Sequence, residues 1–163
     1  MTRSTATQPV SATPMSAEYV VRSDLLGDFT IHPNSAIEFP QGLLGLSEYR
    51  RFALVRAGSD TVYWMQSIDQ SAILFLLVDP FAHFSEYSIE ISPADVFELG
   101  ATNPSDVVVL SIVTLPPPGS TDAPTANLQG PVAINLRLGR GKQVICVDAD
   151  HGVRRAIDLQ VGL

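Results

Sequence analysis

The sequence has little cysteine and no long apolar stretch. Among its 163 residues, Cys146 is the single cysteine, so an intramolecular disulfide is excluded and an oxidising compartment is not indicated. The cysteine stands in the apolar run 144–147, which is typical of a small buried side chain. No run approaches the roughly 20 apolar residues of a membrane-spanning helix, and the N-terminus lacks the apolar core of a signal peptide. We therefore expect a cytoplasmic protein.

Basic residues are also few. Ten Lys and Arg stand against 17 Asp and Glu, which gives a formal charge of −7. Affinity for nucleic acid is built from clustered Lys and Arg, so direct nucleic-acid binding is not expected. A basic protein partner would be attracted.

The composition indicates one folded domain. Hydrophobic residues make up 45% of the chain and charged residues 17%, as in ordinary globular proteins, and the length suits a single core. Residues 1–17 are rich in Thr, Ser, Ala and Pro without apolar periodicity, which predicts a disordered tail. We expect a single domain, most simply a monomer, over residues 18–163.

Short runs of β-branched and aromatic residues recur between turn-forming residues, which predicts a mostly β, antiparallel domain. The runs 73–78 and 107–110 are continuously apolar, as expected for strands covered on both faces or closed into a barrel. Trp64 and Gln66 alternate with Tyr63 and Met65, and the pattern leaves open which pair faces the core. The predicted strands are 36–39, 51–55, 62–67, 73–78, 87–91, 107–115, 132–138 and 142–148.

Three connecting segments carry clear local signals. Ser92 before Pro93 and Asp95 predicts a helix that ends at Leu99, before Gly100. Two glycines within 138–142 predict the tip of a hairpin. Prolines at the start of 116–131 predict a loop.

Motifs for catalysis or metal binding are missing. No Gly-flanked nucleophile of the G-x-S-x-G type is present, and the three histidines lack metal-ligand spacing. The segment 139–143 resembles part of a phosphate loop, but that motif needs Gly where Leu136 stands and Ser or Thr where Gln143 stands. We predict no catalytic residue, no metal and no cofactor.

The densest polar group follows the apolar run that ends at Val78. Asp79, His83, Glu86 and Tyr87 could converge on a cleft as an acid/base site. In the alternative interpretation, Asp79 and Pro80 begin a turn, Phe81 and Phe84 pack under it, and the polar groups face water. The second interpretation is favoured.

A second polar group comprises Asn127, Gln129 and Asn135. Neutral amides carry both donors and acceptors, so they suit bonding to a partner's backbone at a sheet edge. They also suit holding a loop in place, which is the slightly favoured interpretation. Both interpretations stay open.

Four blocks in this order resemble the flagellar assembly factor FliW family: 39–46 (FPQGLLGL), 64–67 (WMQS), 78–81 (VDPF) and 125–135 (TANLQGPVAIN), the last followed by GKQV at 141–144. The resemblance covers about residues 28–157. Gly130 stands where the family usually has Ala, and the closing segment 153–157 lacks the Pro that often follows its Arg. Neither departure removes an expected contact residue, although Gly130 could loosen its loop.

The resemblance implies a compact antiparallel β-barrel-like domain with one or two short helices and no enzymatic activity. It also implies two mutually exclusive partners, flagellin and the carbon storage regulator CsrA. Once flagellin is exported, the freed factor would bind CsrA and relieve its repression of flagellin translation. Such a circuit couples flagellin synthesis to export.

We predict that the partner surface comprises the turn after Val78 and the segment 127–135. Two rival hypotheses stay open: a ligand-binding barrel or enzyme that uses Asp79, His83 and Tyr87, and a flagellar chaperone that binds flagellin without regulating CsrA. The predicted contact residues are Asp79, Pro80, Phe84, Tyr87, Asn127, Leu128, Gln129 and Asn135.

Overall fold

The structure is a computed structural model that describes residues 17–147 and 151–159. The prediction of a disordered tail falls almost wholly on residues 1–16, which lie outside the described residues, as do residues 160–163 of the predicted domain.

The described residues form eleven strands, two short α-helices and two 3-10 turns. The α-helices are α1 (Pro80–His83) and α2 (Pro93–Leu99), and the 3-10 turns span Pro33–Ser35 and Pro104–Asp106. The strands are β1 (Tyr19–Val21), β2 (Phe29–Ile31), β3 (Ile37–Glu38), β4 (Arg51–Ser59), β5 (Val62–Ser67), β6 (Leu74–Val78), β7 (Val107–Thr114), β8 (Thr125–Ala126), β9 (Val132–Asn135), β10 (Arg140–Gln143) and β11 (Arg155–Ala156).

Seven strands close into a barrel in the order β3, β4, β5, β6, β7, β9, β10. The ring closes where β10 pairs with β3, the one parallel pair among the described strands, through Arg140 and Glu38. β7 pairs with β9 along its first half and with β8 at its end, so β8 and β11 extend the sheet beyond the ring. The predicted mostly β, barrel-like class with two short helices is confirmed.

The barrel interior is filled with side chains. Six strands contribute buried apolar residues to it, and β10 contributes Gly141. A Cβ at Gly141 would lie 2.5 Å from the ring of Phe39, so only glycine leaves space for that ring. Phe39 and Phe52 pack edge to face with centroids 5.4 Å apart. The other buried residues of this cluster are Ile37, Leu43, Met65, Leu77, Leu110, Val132 and Ile134.

A second apolar layer covers part of the barrel exterior. Trp64, Leu76 and Val78 point outward from β5 and β6, and later segments of the chain pack over them. Met65 faces the interior whereas Trp64 belongs to this outer layer, and both are buried. The sequence left open which pair of β5 residues faces the core. In the structure, β5 is covered on both faces. The segments that supply the cover contribute Tyr87, Ala126, Leu128 and Ile157.

The helix and the hairpin follow their local signals. The Ser92 hydroxyl accepts from the Asp95 amide at 3.1 Å, and α2 ends at Leu99, before Gly100, whose φ of 65° lies in the left-handed region. β9 and β10 form the predicted hairpin, but its tip is the turn 136–139, and Gly141 lies within β10. None of the helices in the described ranges is long and apolar enough to cross a bilayer.

Several predicted boundaries were wrong. No strand forms at 87–91, because Tyr87 and Ile89 pack against the barrel exterior while no neighbouring strand pairs with the segment. Its alternation of apolar and polar residues therefore imitates a strand. The last barrel strand is Arg140–Gln143 instead of 142–148, and β8 forms inside the predicted loop 116–131.

Candidate protein-binding site

The turn after β6 is a helix start. Asp79 caps α1, since its Oδ1 accepts from the Phe81 amide at 2.9 Å, and Pro80 occupies the first helical position. The His83 Nε2 lies 3.3 Å from the Thr61 hydroxyl. The favoured interpretation is confirmed for Asp79 and Pro80, which begin one capped helical turn. It was wrong for Phe81, which is 48% exposed instead of packed beneath the turn, and for Tyr87, which is buried instead of facing water.

Tyr87 connects this corner to the segment 127–130. Its hydroxyl donates to the Leu128 carbonyl at 3.1 Å, and 8% of the residue is exposed. Its ring lies between Phe81, at 5.2 Å between centroids, and His151, at 4.7 Å. Burial raises the pKa of the Tyr87 phenol, and the neighbouring Cys146 side chain adds to the rise. Tyr87 is thus a neutral hydrogen-bond donor.

Asn127 shapes the segment that it begins. Its Oδ1 accepts from the Gly130 amide at 2.9 Å and from the Gln129 amide at 3.2 Å, which closes a tight side-chain turn. From the barrel, Gln143 donates to the Gly130 carbonyl at 2.8 Å and accepts from the Leu44 amide at 2.9 Å. One glutamine side chain therefore links the segment 127–130 to the FPQGLLGL block.

The backbone of the same segment is bonded on both sides. The Leu128 amide donates to the Gly152 carbonyl at 3.1 Å, and the Gln129 carbonyl accepts from the Cys146 amide at 2.7 Å. Leu128 points inward and is 2% exposed. The segment is therefore held in one conformation without forming a strand of its own.

Asn135 lies at a different place, under the end of α2. It is fully buried; its Nδ2 donates to the Leu99 carbonyl at 3.0 Å, and its Oδ1 accepts from the Leu138 amide at 3.2 Å. One side chain thus satisfies the last turn of α2 and the tip of the β9–β10 hairpin.

The structure brings seven of the eight predicted contact residues together, through the bond between Tyr87 and Leu128. Pro80, Tyr87 and Leu128 are buried there, whereas Asp79, Phe84, Asn127 and Gln129 are half-buried. Asn135 lies apart from these seven, under the end of α2. The observed bonds of Asn127 and Asn135 fit the loop-holding interpretation, and protein contact by any of the eight stays a prediction.

The acid/base hypothesis required Asp79, His83 and Tyr87 to converge. Each of them makes its hydrogen bond to a different partner: the Phe81 amide, the Thr61 hydroxyl and the Leu128 carbonyl. The barrel interior is occupied by apolar side chains. Within the described residues, no group of three His, Cys, Asp or Glu residues could hold a metal ion. The predicted convergence is not present.

A cluster that the sequence analysis missed holds α2 to the barrel. The Lys142 ammonium on β10 lies 2.6 Å from Asp95 Oδ1 and 2.6 Å from Glu98 Oε2. Hydrogen bonds to Asp95 and Glu98 raise the pKa of Lys142. Burial alone would raise the pKa of Asp95, but the hydrogen bond from Lys142 opposes this effect, and the pKa of Asp95 is lowered. The available signal was the spacing of two acids three residues apart on a predicted helix; their basic partner lies 44 residues further on.

Comparison with known proteins agrees with this geometry. A family model described as FliW protein matches residues 20–157. The flagellar assembly factor FliW of Leptospira biflexa is 34% identical over 135 residues, which cover 80% of this chain and 86% of that protein. FliW of Treponema pallidum is 37% identical over 124 residues, which cover 76% and 81%. The crystal structure of a flagellar assembly factor FliW matches with a TM-score of 0.75 at 30% identity, covering 84% of this chain and 95% of that one. The resemblance seen in the four sequence blocks is confirmed, and the chain belongs to the FliW family.

Proposed function

We propose that this chain is a cytoplasmic flagellar assembly factor that acts by binding proteins and catalyses no reaction. It binds flagellin and, when free of flagellin, binds and antagonises the carbon storage regulator CsrA. The observation that carries the proposal is the family match over residues 20–157. The similar sequences and the similar crystal structure are also named flagellar assembly factors. The two partners come from the family resemblance.

The chemistry of the side chains supports binding over catalysis. Asp79, Asn127 and Asn135 have their acceptor oxygens bonded to backbone amides of the same chain, and the buried phenol of Tyr87 bonds a backbone carbonyl. Groups used in this way shape a surface. The formal charge of −7 favours approach of a basic protein such as an RNA-binding regulator.

The proposed contact surface is the ridge formed by α1 and the segment 127–130. Its accessible side chains include Asp79, Phe81, Phe84 and Gln129, and the Arg155 guanidinium lies over the Phe84 ring at 5.7 Å. Buried Tyr87 and Leu128 support the ridge from below. A surface that is held rigidly in this way loses little conformational freedom on binding.

The test is binding of the full chain to purified flagellin and to purified CsrA from the same organism, by pull-down and calorimetry. The proposal expects both proteins to bind at micromolar concentrations or below and to compete with each other. Failure of both to bind would sink it. Binding of flagellin alone would identify a flagellin chaperone that does not regulate CsrA.

Substitutions at Asn127 separate surface shape from side-chain identity. Asn127→Ala removes the acceptor for two backbone amides, whereas Asn127→Asp keeps it. We expect Asn127→Ala to weaken one partner selectively and Asn127→Asp to bind nearly as the wild type does. Equal losses for both variants, at unchanged thermal stability, would indicate that the amide itself touches the partner.

A further inference from the structure

An open apolar groove lies beside α2, next to the ridge assigned to the proposed partners, with which it shares Phe81. Its floor is the outward face of β7, with Val107 and Val109, and α2 contributes Val96. The groove has a volume of about 500 Å³, within the roughly 300–1,000 Å³ of ligand sites. The remaining lining residues are Phe81, Ile89, Glu90, Ile91, Ala101, Thr102, Asn103 and Pro104.

The groove exposes the outer face of β7, although the apolar sequence of this strand predicts that both of its faces are covered. The run 107–110 is continuously apolar, like the run in β6, where Leu76, Leu77 and Val78 are all buried. Val107 and Val109, by contrast, remain half-exposed on the outer face. Among the described residues, the layer that covers β6 therefore has no full counterpart over β7. An apolar patch of this kind on a folded protein marks an interaction site.

The walls of the groove are fixed before anything binds. Asn135 bonds the last carbonyl of α2, and Lys142 bonds the two acids on that helix. Phe81, which lines the groove, is 48% exposed. A preformed site with an exposed aromatic side chain in its lining offers an anchor at little cost in ordering.

The charge around the groove selects the kind of occupant. Glu90 is the one ionisable residue in its lining, and it is exposed. A second copy of the chain, with the same excess of acids, would bring Glu90 against another acidic surface. A segment with apolar side chains beside a lysine or arginine would fill the groove and pair with Glu90.

We propose that this groove docks a peptide segment of a partner protein in which two or three large apolar side chains are accompanied by a basic residue. The proposal concerns a surface that adjoins the ridge of α1 and 127–130 and shares only Phe81 with it. It does not depend on either partner named above.

The probe is a random 12-residue peptide library displayed on phage, selected on the full chain with prior depletion on a Val96→Asp variant. Enriched peptides are then synthesised and their Kd is measured by fluorescence anisotropy. We expect enrichment of apolar residues next to Lys or Arg. The Val96→Asp charge on the apolar wall should weaken binding by about tenfold or more.

The exposed Glu90 supplies a variant that leaves folding intact. Glu90→Lys should weaken the enriched peptides by about tenfold and reverse the preference toward acidic peptides, whereas Glu48→Lys, an exposed acid outside the lining, should not. The proposal is overturned if no peptide distinguishes wild type from Val96→Asp, or if the enriched peptides carry no basic bias. It is also overturned if the wild-type chain dimerises in sedimentation and Val96→Asp abolishes the dimer.

Discussion

Two outer faces of the same barrel differ in how they are covered. Over β5 and β6, Trp64 and Leu76 lie beneath Tyr87 and Leu128 and are 9% and 4% exposed. Over β7, Val107 and Val109 form the floor of an open groove. The segment that begins at Tyr87 borders both faces, because Tyr87 packs on the first, Ile91 lines the second and Ile89 contacts both.

The difference separates a face that contributes to stability from a face that we propose for recognition. The covered face gains free energy from burial of large side chains, and polar groups such as the Tyr87 hydroxyl lock its cover in place. The groove leaves Val107 and Val109 partly in contact with water. Substitutions in the covered face should therefore reduce the free energy of unfolding, and substitutions in the groove should leave it nearly unchanged.

The largest effect should separate Leu128→Ala from Val109→Ala. Leu128→Ala removes a buried side chain from the cover and should lower the free energy of unfolding by about 2–5 kcal/mol. Val109→Ala, at the half-exposed groove floor, should cost about 1 kcal/mol or less. Urea unfolding of both variants measures the contrast. Similar losses would mean that the groove floor is as well packed as the cover.

Tyr87→Phe tests the polar part of the cover. The ring and its contacts with Phe81 and His151 remain, but the Leu128 carbonyl loses its donor inside the protein. We expect a loss of about 1–2 kcal/mol in the free energy of unfolding. The same denaturation measurement, with Tyr63→Phe as the matched control for a phenol that bonds an exposed carbonyl, checks it. A smaller loss at Tyr87 than at Tyr63 would contradict the prediction.

The sequence predicts the parts of this fold that depend on local signals. Ser92 and Gly100 bound α2 as expected, because a cap and a left-handed glycine act within one turn of chain. Closure of the barrel is different. It rests on one pair, Arg140 with Glu38, about a hundred residues apart, and nothing local to either residue specifies it.

The candidate site divides in the same way. Asp79 and Pro80 predict a turn because capping depends on neighbouring residues. Asn127 likewise closes a turn locally, because its side chain accepts from the amides two and three residues further on. The bond from Tyr87 to the Leu128 carbonyl spans 41 residues and could not be predicted. The groove could not be predicted either, since its lining comes from several separate segments that only the folded barrel brings together.

Lys142→Met tests how α2 is held beside the groove. The variant keeps the aliphatic stem but leaves Asp95 and Glu98 without their cation, and we expect a loss of about 1 kcal/mol at neutral pH. The folded pKa of Asp95 is lowered from 3.8, so its share of the stability is present above that value and disappears as the pH falls below it. The folded pKa of Lys142 is raised from 10.5, so its share disappears as the pH rises past that value.

The stability difference between wild type and Lys142→Met should therefore be flat between about pH 5 and 9, and it should shrink toward both extremes. Thermal unfolding across this range measures it. Arg56→Met removes a cation from an exposed pair with Asp60 and provides the control, with almost no loss at any pH. A pH-independent difference for Lys142→Met would mean that the ammonium contributes packing alone.

The smallest effect concerns Gly130, at the end of the segment 127–130. Gly130 does not adopt a positive φ, so alanine carries no backbone strain there. Its Cβ would lie 3.3 Å from the Asn127 and Gln143 amide nitrogens, which requires those side chains to shift by a few tenths of an ångström. The reduced freedom of the unfolded chain, roughly 0.4–1 kcal/mol in favour of alanine, should offset that shift. Gly130→Ala should therefore change the free energy of unfolding by less than about 0.5 kcal/mol. A larger loss, with the wild-type affinity for partners unchanged, would mean that the two amides cannot move and that this chain needs glycine to keep its segment 127–130 in place.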